Sequence, residues 1–255
     1  MKVMRQLNRL AAGTAVVALA AFAGAGLAQA DGMPGKRVAY ERPWDWGGFY
    51  FGVHSGWQWS DIDSTSVTGV PLFSVSHDSP VVGGQIGIQH QFGQFVLGVE
   101  GTLTTSYQND YASTDCPNTL FTCAARFDDV LTIGPRLGWA MGRWMPYITG
   151  GYANARYSEK VSIKASSSNP YQDSQRHSGW FIGTGVEMAL SHGWTVGLEY
   201  RHYEFDDALY SVTRTLAGGV IDTSQPSNNA DVSLDTFTLR ASWKFGRPER
   251  VVPLK

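Results

Sequence analysis

What this chain of 255 residues lacks narrows its class before any motif does. It has two cysteines, Cys116 and Cys123, close together in a polar stretch, too few for a thiolate metal cluster. In an exported chain such a pair reads as a disulfide rather than a metal or redox site. Closing so short a loop stabilises locally by roughly 2–3 kcal/mol at most. There is no basic excess, with 20 Lys+Arg against 22 Asp+Glu, and no basic stripe, so nucleic-acid binding has no electrostatic support. Beyond the N-terminus no apolar run approaches the ~20 residues that a spanning helix needs.

Residues 1–30 read as a signal peptide. Lys2, Arg5 and Arg9 form a positive start, Leu10 to Leu27 is apolar and rich in Ala and Gly, and Ala28-Gln29-Ala30 is a small-x-small cleavage pattern. Cleavage between Ala30 and Asp31 leaves 17 basic residues against 22 acidic, a net charge of −5. An uncleaved membrane anchor is the alternative. Residues 31–46, charged and without periodicity, form a leader expected in the periplasm, and 47–245 form one all-β domain.

What is present is alternation. In Val81 to Phe92, Val82, Gly84, Ile86, Ile88, His90 and Phe92 share one side, and Gly83, Gln85, Gly87, Gln89 and Gln91 the other. Similar segments run over 47–60, 95–107, 126–141, 145–160, 177–190, 194–205 and 233–245. Outward sets are Phe49, Phe51, Val53, Trp57 and Trp59; Phe95, Leu97, Val99 and Leu103; Leu131, Ile133, Leu137 and Trp139; Trp180, Ile182, Val186, Met188 and Leu190; and Phe237, Leu239, Ala241, Trp243 and Phe245. In the fifth segment Gly150-Gly151 blurs the facing.

Connections alternate long and short, four long (61–79, 108–125, 161–176, 206–232) and three short. This is the order of an eight-stranded antiparallel up-and-down transmembrane barrel with three short periplasmic turns, four longer extracellular loops and both termini in the periplasm. A soluble sandwich gives no reason for such parity. Trp57, Trp59, Trp139, Trp144, Trp180, Trp194, Trp243 and Phe245 sit near segment ends, where interfacial girdles form.

The stretches WDWGGFYFGVHSGWQW, VVGGQIGIQHQFGQFVLGVEG, MPYITGGYANA, GWFIGTGVEMAL, WTVGLEYRHYEF and TFTLRASWKF resemble the small outer-membrane β-barrel proteins of alphaproteobacteria. That porin-like surface family is related in architecture to OmpA-type and opacity-type barrels, and the resemblance covers about residues 44–245. It implies residence in the Gram-negative outer membrane among lipid and lipopolysaccharide. It also implies insertion by the barrel assembly machinery, which reads the terminal aromatic, here Phe245. Members usually end on that aromatic, whereas GRPERVVPLK follows Phe245, so residues 246–255 are expected to be a flexible tail.

Facing assigns Glu100, Arg136, Glu187, Glu199, Arg201, Arg240 and Lys244 to the lumen. Their depths set Glu100 against Arg136 and Glu199 against Arg240, subject to barrel stagger. Three acids and four bases would largely neutralise one another, and an eight-stranded lumen is just wide enough for side chains to fill. A structural, porin-like envelope protein with a narrow or plugged lumen is therefore expected, with no cofactor. A second reading is a surface adhesin or a binder of haem or host matrix, acting through loops that carry His77, Tyr111, Tyr171, His177 and Tyr210. A remote third is a lipid-modifying enzyme at the rim, using His202, Glu204, Asp206 or Asp207 with Ser106 or Ser178. Polar residues belong at strand tops anyway, so the expectation is no enzyme and no metal.

Overall fold

The computed structural model describes residues 44–66, 71–107, 112–116, 120–164, 166–210, 214–215, 221–222 and 228–245. The expected signal peptide with its Ala30–Asp31 junction, and the tail 246–255, lie outside the described residues. In chain order the strands are β1 (Gly48–Ser66), β2 (Pro71–Phe92), β3 (Phe95–Ser106), β4 (Ala112–Asp115), β5 (Phe121–Trp139), β6 (Trp144–Ile163), β7 (Ser166–Ala189), β8 (Trp194–Tyr210), β9 (Arg214–Thr215), β10 (Ile221–Asp222) and β11 (Asn228–Phe245). The eight long ones pair antiparallel in chain order, and β11 closes on β1. The short β4 pairs along β5, and β9 pairs with β10 as a separate hairpin.

The closure can be followed residue by residue. A row across the hydrogen bonds runs Phe51, Ile86, Gly101, Ile133, Tyr152, Trp180, Glu204, Ser233 and returns to β1 at Asp61, ten residues above its start. That stagger tilts eight strands by roughly 40° from the axis, which sets a bore that side chains can fill. Among the described residues each of the eight long strands has a neighbour on both sides, so the wall between the girdles satisfies its backbone polar groups even in a medium without water.

The burial pattern is inverted relative to a soluble protein. Ile88 and Leu239 are each 61 % exposed, whereas Arg240 is 1 % exposed. The outward faces carry the apolar sets predicted from the alternation, bounded by aromatic rings. One girdle gathers at the short turns, where Phe95 meets Trp139 at 4.6 Å and Phe49 meets Phe245 at 5.5 Å between ring centroids. The other is formed by Trp57, Trp59, Tyr152 and Trp180. The short turns are tight because Gly93 and Gly142 take left-handed φ of 62° and 65°.

Several expectations need correction. The segments 61–79, 161–176 and parts of 108–125 and 206–232 are mostly strand: β1 runs on to Ser66, β2 starts at Pro71, and only residues 164 and 165 separate β6 from β7. Past the apolar girdle the outward face meets water instead of lipid, so the apolar alternation that marks a strand fades while the backbone ladder continues. The expected leader also ends too late, because Trp46 is fully buried inside the mouth of the barrel. In β6 the facing is now plain, with Trp144, Ile148 and Tyr152 outward. The blur has a cause: the ladder skips Gly134-Pro135 against Gly150-Gly151, where a Cβ on Gly134 would lie 2.0 Å from the Gly150 carbonyl oxygen.

Candidate functional site

Three tiers fill the lumen. At the turn end Trp46, Val96, Ala140, Met145 and Ala189 form an apolar stopper. Its anchor is polar: Gln91 Oε1 accepts from the Trp46 amide at 2.7 Å, and Gln89 Nε2 donates to the Trp46 carbonyl at 2.6 Å. At the opposite end Tyr157, His177, Phe181, Tyr203, Phe205 and Leu234 point inward and are buried. Between them lies the charged layer.

The layer is built from a repeated local pattern, Gly-x-Glu, at 98–100, 185–187 and 197–199. Gly98 lies opposite Arg136, and Gly197 opposite Arg240, so each of these two arginines has no side chain directly across from it and a carboxylate two residues further up the neighbouring strand. Glu100 is the hub: its oxygens lie 3.4 Å from Arg136 Nη1, 2.7 Å from Arg201 Nη2 and 2.5 Å from Arg240 Nη2. Glu199 takes Arg201 Nε at 2.7 Å and Arg240 Nη1 at 2.5 Å. Glu187 takes Arg136 Nη2 at 2.7 Å and stands 3.9 Å from Arg240 Nε. The expected facings of Glu100 with Arg136 and Glu199 with Arg240 are both present, joined by cross-links that strand-neighbour reasoning did not contain.

Lys244 is the exception among the expected lumen charges. Its Nζ donates to the Asp45 carbonyl and sits 5.2 Å from the centre of the Trp44 ring, at the turn-end mouth. Position 244 does face inward, but it lies four residues below Arg240 and the side chain turns toward the mouth. Three carboxylates and three guanidiniums remain, a balanced set.

Two tyrosines complete the layer and escaped the reading of the sequence. The Tyr50 hydroxyl donates to Glu100 Oε2 at 2.7 Å, and the Tyr147 hydroxyl donates to Glu199 Oε2 at 2.9 Å. Arg136 stacks on the Tyr147 ring at 3.6 Å. Each ring lies flat over a glycine: a Cβ on Gly87 would come within 2.4 Å of Tyr50, and one on Gly185 within 2.5 Å of Tyr147. The available signal was position, since Tyr50 falls on the face opposite Phe49 and Phe51. Above the layer Arg201 also donates to the Thr102 and Thr132 hydroxyls at 3.1 and 3.0 Å. His54 bridges Gln85 and Thr104 at 2.7 and 2.9 Å. The void left here is about 10 Å³, room for one water at most.

The other candidates are scattered. Cys116 and Cys123 form a disulfide, packed with Val161 and Tyr171. Tyr171 and His177, expected on loops, are buried strand residues, and His177 Nδ1 lies 3.1 Å from the Asp206 carbonyl. The side chains of His77, Tyr111, Asp207 and Tyr210 lie outside the described residues. His202 and Glu204 are on the outer wall, 3.4 Å apart, with Asp235 at 2.8 Å from His202 Nδ1. Ser106 pairs with Ser79, and Ser178 with Tyr152. Among the described residues no cluster has the makings of a metal site. Phe245 stands on the outer wall against Phe49, Phe51 and Trp243.

A family model described as an outer membrane protein beta-barrel domain matches residues 14–245. A 25 kDa outer-membrane immunogenic protein of Brucella abortus is 25 % identical over 231 residues, covering 88 % of this chain and 95 % of that protein. A 31 kDa outer-membrane immunogenic protein of Brucella melitensis is 26 % identical over 214 residues, covering 78 % and 84 %. Among solved structures, the outer membrane protein OprG of Pseudomonas aeruginosa matches with a TM-score of 0.49 at 13 % identity, covering 79 % of this chain and 97 % of that one.

Proposed function

This chain belongs to the outer-membrane β-barrel protein family, and from that premise we propose that it is a closed structural member of the cell envelope rather than an open pore or an enzyme. It resides in the outer membrane. The observation that carries the reading is the charged layer, six side chains between 1 % and 5 % exposed, spanning the bore above the Trp46 stopper. Ions crossing it would have to part guanidinium–carboxylate pairs in a water-poor space, at a cost of several kcal/mol each.

In this reading the short turns and both termini face the periplasm and the long hairpins face the exterior, as in other barrels of this class. The partners are lipid and lipopolysaccharide around the wall, with the assembly machinery reading Phe245. In this reading His202, held between Glu204 and Asp235 on the outer wall, is part of a surface charge cluster. A second reading, contact with ligands outside the cell, draws on β1, which runs seven residues beyond Trp59 to Ser66 and so lifts a hairpin clear of the girdle.

Planar-bilayer recording of the purified barrel tests the closed reading. Bilayers containing the protein should stay at baseline current across both polarities. Steady conductance steps of open-porin size would overturn it.

A further inference from the structure

On the outer wall of β6 and β7 the cross-strand pairs climb in order: Ile148 with Thr184, Gly150 with Ile182, Tyr152 with Trp180, Asn154 with Ser178, then Arg156 with Arg176. Tyr152 and Trp180 belong to the girdle, and the arginines stand four residues above it. At a tilt of about 40° each residue climbs roughly 2.5 Å, so the two guanidiniums sit about 10 Å above the aromatic level, the depth of lipid headgroups. Both are nearly half exposed.

Two like charges directly opposite on one sheet face repel. A single carboxylate answers both. Asp129 of β5 lies 3.6 Å from Arg156 Nε and 3.0 Å from Arg176 Nη2, while Asn154 Oδ1 accepts from Arg176 Nη1 at 2.9 Å. The cluster therefore keeps one net positive charge, with guanidinium donors facing away from the barrel. In a surface lying against lipid, the anion at that height belongs to the lipid.

We propose that Arg156 and Arg176 form a binding site for a phosphate group of the outer-leaflet glycolipid, lipopolysaccharide. The inference rests on the orientation proposed above, with the long hairpins outward. Guanidinium forks match phosphate oxygens in a way that lysine or a neutral amide cannot. Asp129 holds the two forks together in the lipid-free state, and phosphate supplies the second negative charge that the pair lacks.

Native mass spectrometry of the barrel purified from outer membranes, exchanged against defined lipids, is the test. The natural protein should retain bisphosphorylated lipid A about tenfold more than its dephosphorylated form, and the Arg156→Gln/Arg176→Gln variant should lose that preference. Equal retention of the two lipids by the natural protein overturns the proposal, as does equal retention by natural and variant protein. So does release of the lipid by excess inorganic phosphate. The lipid comparison on the natural protein needs no variant to fold. Protease shaving of the hairpin ends on intact cells reads orientation alone, and so separates failure of this site from failure of the orientation.

Discussion

Replacing Glu100 with alanine should destabilise the barrel by about 3–5 kcal/mol, the cost of stranding buried charge. Glu100 touches three arginines and accepts from Tyr50. Without it the layer holds three guanidiniums against two carboxylates, and a neutral water in the vacated space cannot replace the lost charge. Arg240 still reaches Glu199, and Arg136 still reaches Glu187, but Arg201 keeps Glu199, which it already shares, as its one carboxylate beside two threonine hydroxyls. Glu199→Ala should act in the same direction, since it strips Arg201 and Arg240 of a common partner. The measurement is the urea midpoint of the vesicle-inserted protein, followed by tryptophan fluorescence and by the loss of heat-shifted gel mobility. An unchanged midpoint for both variants would mean that the layer fills the bore without holding it together.

Leu239→Arg should cost about 2–4 kcal/mol, the penalty for a guanidinium facing hydrocarbon near the middle of a membrane barrel. Leu239 is already 61 % exposed, so on a soluble protein the same change would be close to neutral. Tyr107→Arg is the matched control. Tyr107 lies just past β3 and is 78 % exposed, near the upper girdle, where the penalty falls to about 0–1 kcal/mol. The difference between the two variants, read from the same unfolding curves, separates a depth-dependent lipid effect from general damage to the sheet.

The wall of this barrel was legible in the sequence because lipid imposes a strict rule on it. Wherever a strand faces hydrocarbon, every second residue must be apolar, and Leu97, Ile133, Ile182 and Leu239 obey. The parity of the connections followed from the same argument. What the sequence hid has two physical origins. Above the girdle the outward face is wet and only scattered inward positions such as Val161 and Tyr171 are buried, so residues 61–79 and 161–176 carry no regular alternation that separates extended hairpin from loop. Inside the bore, partners are chosen across the lumen and not along the ladder. Glu100 on β3 therefore meets Arg201 on β8 and Arg240 on β11, contacts invisible to neighbour-strand reasoning. Tyr50 and Tyr147 were hidden by their class, since aromatic residues suit any strand, and only the glycines beneath them mark the space they occupy. Lys244 shows the opposite error: the correct face with the wrong depth.

The central claim is that acyl chains cover the apolar exterior while a filled, polar interior is closed to them. Single cysteines carrying a fluorophore along β3, in a background where Cys116 and Cys123 are serine, read this directly in vesicles of brominated lipid. Labels at Leu97, Val99 and Leu103 should be strongly quenched by the brominated chains, and cysteines at Val96, Thr102 and Thr104, buried in the filled bore, should resist labelling in the folded barrel. Quenching without that two-residue rhythm, or labels at 97, 99 and 103 reached instead by an aqueous quencher, would contradict the account.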